Sequence, residues 1–125
     1  MNLNQVTVPS TNVAVAVEFY RRLGLRQIVS NLPKYARFEC PDGGATFSIH
    51  LADSAPTQPS VVVYFECADL DARVAELKAQ GLEFETEPVD QPWLWRECYL
   101  HDPDGNQICL YYAGENRLNP PWRLP

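Results

Sequence analysis

A pattern repeated at a spacing of 57 residues constrains the fold of this 125-residue chain more than any other feature. In both copies a polar residue precedes a segment with helical periodicity, and a glycine followed by a leucine ends that segment. The matching pairs are Asn12 and Asp69, Gly24 and Gly81, and Leu25 and Leu82. Only two copies fit into the chain, so the pattern predicts a duplicated module and not a solenoid.

Each copy opens with a predicted strand, because "NQVTV" (4–8) and "SVVVYFE" (60–66) alternate and are rich in β-branched residues. Three further strands are expected after the helix, and Pro-Asp-Gly turns connect the last two of them in each copy. Their predicted bounds are 26–30, 35–40 and 45–51 in the first copy, and 83–87, 95–100 and 107–113 in the second.

The helix of each copy has start and stop signals. Asn12 and Asp69 are suitable N-caps, whose side chains can accept hydrogen bonds from the first exposed N–H groups. Gly24 and Gly81 can adopt the left-handed conformation that ends a helix. The predicted apolar faces consist of Val13, Val17 and either Tyr20 or Arg21, widened by Phe19 and Leu23, in the first helix, and of Leu70, Val74 and Leu77 in the second.

The sequence therefore predicts an α+β fold of two tandem βαβββ modules. A helix covers only one face of its sheet, so we expect the two remaining faces to form a half-open barrel with a cavity between the modules. We assign residues 1–125 to one domain, with module one at about 3–53, module two at about 60–113 and a C-terminal tail at 114–125 without an assigned role.

Composition limits the partners of this protein. A net charge of −6 argues against nucleic acid, whose phosphates would be repelled. No apolar run reaches the roughly 20 residues that span a bilayer, and the N-terminus shows no signal peptide, so we expect a cytoplasmic protein without membrane contact. The four cysteines form no CxxC pair and are expected to be reduced thiols.

Three segments resemble the vicinal-oxygen-chelate superfamily, which includes glyoxalase I, bleomycin-resistance proteins and extradiol dioxygenases. They are "NQVTVPSTNVAVAVEFYRRLGL" (4–25), "VYFECADLDARVAELKAQGLEF" (63–84) and "PWLWRECYLHDPDGNQICLYY" (92–112). The resemblance covers nearly all of residues 3–113 and implies the same fold. It also implies a homodimer, because members of the superfamily commonly pair. It does not specify the chemistry, because this fold serves many reactions.

Metal-dependent members of this superfamily place ligands on four strands. The resemblance carries three of these positions to Gln5, Val62 and Cys109, and the fourth to His50 or Phe47. We favour His50, because the period-2 alternation of the strand places Phe47, Ile49 and Leu51 under the helix.

This set is a poor metal site. Valine cannot bind a metal and glutamine is a weak neutral ligand, while His50 and Cys109 suit zinc but lack a third strong partner. We therefore expect no metal cofactor, and a divalent metal is the alternative.

We expect the protein to bind a small aromatic or cationic organic molecule without a metal, because aromatic side chains with a few polar groups suit such a ligand. The alternative is an enzyme of the same superfamily, a lyase, isomerase or dioxygenase, that uses a divalent metal or has His50 or Glu66 as its base. The tryptophans could instead be core residues, and the inward face of the strand around Arg96 is left open. The candidate ligand-binding residues are Gln5, His50, Tyr64, Glu66, Trp93, Trp95, Arg96, Cys109 and Tyr111.

Overall fold

The computed structural model of the chain describes residues 2–57 and 61–125. It divides into two compact units. The second unit comprises Val61–His101 and Gln107–Pro125, and the first comprises the described residues before the second unit together with Asp102–Asn106. The predicted start of the fifth strand at residue 60 and the end of the Pro-rich link at 54–60 lie outside the described residues.

Each unit contains one helix and one four-stranded mixed sheet, as the repeat predicts. The elements of the first unit are β1 (Gln5–Ser10), α1 (Val13–Leu23), β2 (Arg26–Asn31), β3 (Tyr35–Glu39) and β4 (Thr46–Leu51). Those of the second are β5 (Val62–Glu66), α2 (Leu70–Ala79), β6 (Val89–Asp90), β7 (Arg96–His101) and β8 (Gln107–Tyr112), followed by a short 3-10 helix at Gly114–Arg117. The α+β class is confirmed, whereas the arrangement of the two sheets around a cavity and the domain bounds stay predictions.

The two sheets have equivalent strand orders, β1-β4-β3-β2 and β5-β8-β7-β6. In both, the first strand of the module pairs in parallel with the last, and all other pairs are antiparallel. Within the described residues, no helix has the length and the apolar character needed to cross a membrane.

Helix α1 begins and ends as its sequence predicts. The side chain of Asn12 accepts a hydrogen bond from the backbone N–H of Val15, and Gly24 has φ 113°, where its N–H donates to the carbonyls of Tyr20 and Arg21. The structure resolves the open alternative on the apolar face, because Tyr20 is buried and Arg21 is exposed.

Helix α2 begins at the predicted place by other means. The prediction that the Asp69 side chain caps it is wrong, because that carboxylate makes no capping hydrogen bond. The Asp69 carbonyl still accepts the first helical bond, from the N–H of Arg73 at 3.0 Å. The predicted apolar stripe of Leu70, Val74 and Leu77 is buried.

Two predictions about strands are also wrong. Residues 83–87 form no strand. The Glu85 N–H donates to the Tyr99 carbonyl, but the Tyr99 N–H donates to the Thr86 hydroxyl instead of a backbone carbonyl, so no regular ladder forms. The edge strand of this sheet is instead the two-residue β6. Leu51 does not pack under α1 and is 44% exposed, since it is the last residue of β4.

The core of the first unit is built around Tyr20. Its ring lies 4.5 Å from that of Phe47 and 6.1 Å from that of Phe38, between centroids, and all three are buried. The phenol O–H donates to Asp102 Oδ2 at 2.7 Å. Asp102 is itself buried. Its carboxylate accepts three further hydrogen bonds within its own turn, from the backbone N–H groups of Asp104 and Asn106 and from the side-chain amide of Asn106. A buried carboxylate with four donors is satisfied, and losing one donor is costly.

We expect Tyr20→Phe to lower the free energy of unfolding by about 1–3 kcal/mol, because it removes one donor from a buried carboxylate while retaining the ring. Urea denaturation measures the loss. The matched control is Tyr112→Phe, at a tyrosine that is 46% exposed, and it should change stability by less than about 0.5 kcal/mol. Equal effects of the two variants would contradict the role of the Tyr20–Asp102 bond.

Candidate functional site

Each sheet presents one face to its own helix and carries its polar or aromatic residues on the opposite face, which we call the far face. On β4, Phe47 contacts Tyr20 of α1, so Thr46, Ser48 and His50 lie on the far face of the first sheet. The strand registers add their neighbours to this face: Gln5 and Thr7 from β1, and Tyr35 and Arg37 from β3.

A chain of hydrogen bonds connects the far face of the first sheet. Gln5 Nε2 donates to Ser48 Oγ at 2.6 Å, and Ser48 Oγ lies 2.7 Å from Tyr35 Oη. Arg37 Nε donates to Tyr35 Oη at 2.9 Å, and Thr46 donates its hydroxyl hydrogen to Gln5 Oε1. The bond from Ser48 and the guanidinium of Arg37 lower the pKa of the Tyr35 phenol, against an opposing contribution from desolvation.

The first unit thus holds two of the predicted site residues, Gln5 and His50, on one face. Gln5 is part of the hydrogen-bond chain. His50 is exposed and lies opposite Tyr35 in the β3–β4 register.

An aromatic cluster occupies the far face of the second sheet. The rings of Trp95 and Tyr111 are stacked, with centroids 4.7 Å apart and an interplanar angle of 18°. Tyr64 meets both rings edge-on, at 6.1 Å from Trp95 and 5.6 Å from Tyr111. Tyr64 is 45% exposed whereas Tyr111 is only 6% exposed, so the cluster has an accessible edge on a buried base. Cys109 packs beneath it, and three predicted site residues of β5 and β8 are therefore brought together with Trp95.

A buried carboxylate lies beside this cluster. Glu97 is 3% exposed and accepts hydrogen bonds from Trp93 Nε1 and from the Tyr99 hydroxyl, the latter at 2.8 Å. Burial and the bond to Glu97 raise the pKa of Tyr99, so its phenol remains a donor. Trp93 is 46% exposed and is held by its indole N–H, not by core packing.

Glu66 ends β5 in a fixed geometry. Its Oε2 accepts from the N–H groups of Ala113 and Gly114 at 2.8 and 2.9 Å, and its Oε1 lies 3.8 Å from Arg117 Nε. This carboxylate therefore connects β5 to the 3-10 helix that follows β8.

Arg96 is not brought together with the other predicted residues. Its guanidinium pairs with Asp71 of α2 through two bonds of 2.8 and 3.0 Å, and with Asp90 of β6 at 3.0 Å, so it lies on the helix face. It lines a groove of about 290 Å³ on that side, together with Val74 and Lys78 of α2. The face that the sequence left open is thereby determined: Glu97 and Tyr99 share the far face with the aromatic cluster.

The buried thiols are poor nucleophiles. Burial, with a smaller contribution from the charge of Glu97, raises the pKa of Cys109 to about 12. Burial raises the pKa of Cys98 to about 11. Both thiols are therefore protonated at neutral pH, as their burial predicts.

The residues at the family's ligand positions do not fit a metal ion. Val62 offers no donor atom, Cys109 would have to lose a proton with a pKa of about 12, and both polar ends of the Gln5 amide are occupied by Ser48 and Thr46. Within residues 2–57 and 61–125, no group of three His, Cys, Asp or Glu side chains could hold a metal.

Four residues of these far faces are not among the candidate ligand-binding residues from the sequence: Tyr35, Arg37, Glu97 and Tyr99. Ala36 and Phe38 of β3 are buried, so alternation places Tyr35 and Arg37 together on the other face. No sequence pattern indicates the hydrogen bond between them. His101, at the end of β7, is exposed and pairs with Glu85.

Residues 2–110 match the model of the Glyoxalase/Bleomycin resistance protein/Dioxygenase superfamily. The chain belongs to this superfamily.

The proteins similar to this chain carry names that describe different functions. A "Trivalent organoarsenical cleaving enzyme" from Bacillus sp. (strain MD1) is 25% identical over 133 residues, which cover 97% of this chain and 81% of that protein. A glyoxalase/bleomycin resistance protein/dioxygenase from Nocardioides has a TM-score of 0.81 at 24% identity, covering 100% of this chain and 90% of that one. A bleomycin-binding protein complexed with bleomycin has a TM-score of 0.72 at 20% identity, covering 90% and 98%. The two structural similarities show the fold.

Thiol reactivity tests the site electrostatics. We expect Cys98 and Cys109 to react with an aromatic disulfide reagent at least about tenfold more slowly than the half-buried Cys40 and Cys67, because their thiols are fully buried. Peptide mass spectrometry after timed labelling assigns each site, and labelling in urea is the control that all four thiols are reduced. Modification of Cys109 as fast as Cys40 would contradict its burial.

Proposed function

We propose that this superfamily member binds a small aromatic or cationic organic molecule on the far face of its second sheet, without a metal. The observation that carries the proposal is the stacked pair of Trp95 and Tyr111, with Tyr64 exposed at its edge. Aromatic rings in offset or edge-on contact leave π faces and edges that accept a further planar group or a cation.

The charge of this face favours a cation. Glu66 and Glu97 border the aromatic cluster, and the chain has a net charge of −6. Arg117 partly compensates Glu66 at 3.8 Å, while the hydrogen bonds of Glu97 come from the neutral donors of Trp93 and Tyr99. A quaternary or protonated amine would gain from both the negative potential and the π faces.

The bleomycin-binding protein among the structural neighbours supports small-molecule binding as a use of this fold. The similarity is one of fold, so bleomycin itself is not proposed as the ligand.

An enzyme of the same superfamily is the second candidate, and the organoarsenical cleaving relative supports it. In this proposal His50 is the more available base, because it is exposed, whereas the Glu66 carboxylate accepts two backbone N–H groups and faces Arg117. Cys98 lies opposite Leu110 and Cys109 opposite Tyr99, so these two thiols lie on different faces of the sheet and do not form a pair. The predicted homodimer, the cytoplasmic location and the remaining roles of the predicted site residues are unchanged by these arguments and stay predictions.

Calorimetric titration with benzyltrimethylammonium tests the binding proposal. We expect Tyr64→Ala to weaken binding about tenfold, because it removes one ring of the aromatic cluster. The matched control is Tyr112→Ala. Tyr112 is as exposed as Tyr64, but it lies on the face of β8 opposite to the cluster residue Tyr111. Failure of the wild-type protein to bind, or equal losses in both variants, would contradict the proposal.

Elemental analysis of protein purified without chelator separates metal-free binding from a metal-dependent enzyme. We expect less than stoichiometric zinc, nickel, manganese and iron, and no change in Tm when these ions are added, because the ligand positions include Val62 and a protonated Cys109. One tightly held divalent ion per chain would reject metal-free binding and favour the enzyme.

A further inference from the structure

Arg37 is a fixed cation on the far face of the first sheet. Its Nε donates to Tyr35 Oη at 2.9 Å, and its guanidinium carbon lies 5.6 Å from the centre of the Tyr35 ring. Among the described residues no carboxylate lies within ion-pair distance of it, whereas Arg26, Arg96 and Arg117 each have such a partner. An arginine that is oriented but not neutralised retains its capacity to bind an anion.

The hydrogen-bond chain behind Arg37 holds Tyr35 in place. The Gln5 amide nitrogen can only donate, so Ser48 Oγ accepts from it, and in the bond between the Ser48 and Tyr35 hydroxyls either group can be the donor. Tyr35 Oη accepts from Arg37 Nε, which fixes the guanidinium beside the phenol. Ser48 is fully buried, so this arrangement has a rigid base.

We propose that Arg37 and Tyr35 form a binding site for the carboxylate group of a small organic molecule. The Nε of Arg37 is engaged by Tyr35, which leaves the two terminal nitrogens to donate in parallel to both carboxylate oxygens. When Ser48 is the donor in its bond to Tyr35, the Tyr35 O–H supplies a third, neutral donor beside them. The remaining donors and acceptors of the chain, on Gln5 and Ser48, position Tyr35 and do not contact the ligand.

The charges around this site permit an anion. In the β3–β4 register His50 lies opposite Tyr35, and β1 contributes no charged residue to this face. The one carboxylate on β3, Glu39, is paired with Arg26 of β2 at 3.3 Å. These residues therefore leave no unpaired negative charge next to Arg37.

This site goes beyond the proposed function, because all of its residues lie in the first unit and none belongs to the aromatic cluster. The two proposals therefore fail separately. A cationic aromatic probe reports on Tyr64 and Trp95, and an anionic aromatic probe of similar size reports on Arg37.

Titration with sodium benzoate at constant ionic strength tests the site. We expect Arg37→Gln to weaken benzoate binding at least about tenfold, since it removes a charge-assisted bidentate contact. Arg37→Lys should lose less, because it retains the charge but not the fork, and Tyr35→Phe should weaken binding several-fold. The matched control is Arg22→Gln, at another exposed arginine, in the last turn of α1, which should bind benzoate like the wild-type protein.

Benzyltrimethylammonium serves as the second probe in each variant. Arg37→Gln should leave its affinity unchanged, which also shows that the variant is folded. The proposal is overturned if wild-type protein does not bind benzoate, if Arg37→Gln and Arg22→Gln lose affinity equally, or if benzoate binding depends on Tyr64 instead of Arg37.

Discussion

The period-2 alternation of side chains along the central strands is the constraint on which the rest of this structure depends. On β4, Phe47 and Ile49 pack in the core of the first unit while Ser48 between them joins a polar chain. A register shift of one residue would exchange these faces, bury polar groups without partners and expose the core. Helix packing on one face therefore fixes which residues are available for binding on the other.

The two far faces have diverged although the modules are equivalent in topology. The first carries hydroxyl, amide and guanidinium groups connected by hydrogen bonds, whereas the second carries stacked aromatic rings beside carboxylates. In both, the groups that contact solvent are held from behind by buried ones, Ser48 in the first and Glu97 in the second. Such support reduces the entropy lost when a ligand binds, which makes each face suitable for recognition.

The sequence was sufficient for the parts of the fold that local physics determines. The helix α1, its Asn12 cap and its Gly24 end follow from backbone chemistry within a few residues, and the 57-residue repeat supplied the second module. Where local signals misled, a longer-range contact was responsible. Thr86 replaces a backbone acceptor for Tyr99 across 13 residues, so the expected strand at 83–87 does not form.

The candidate site was less predictable for the same reason. The hydrogen bond between Gln5 and Ser48 joins residues 43 apart, and the pairing of Arg96 with Asp71 joins residues 25 apart, so neither is visible in a local pattern. The alternation of Trp95, Glu97 and Tyr99 predicts that these residues share one face of the sheet. Whether that face packs against α2 or carries the aromatic cluster depends on the side on which Arg96 lies. Only the location of its two carboxylate partners decides that question.

The central claim is that binding occurs on the sheet face opposite the helix, and NMR mapping of a bound ligand tests it most directly. On saturation with benzyltrimethylammonium, the account predicts that the indole N–H resonance of Trp95 and the backbone amides of Tyr64 and Tyr111 shift together, while those of Asp71 and Arg96 stay in place. Saturable shifts confined to α2, Arg96 and the groove between them would place the ligand on the helix face and contradict the account.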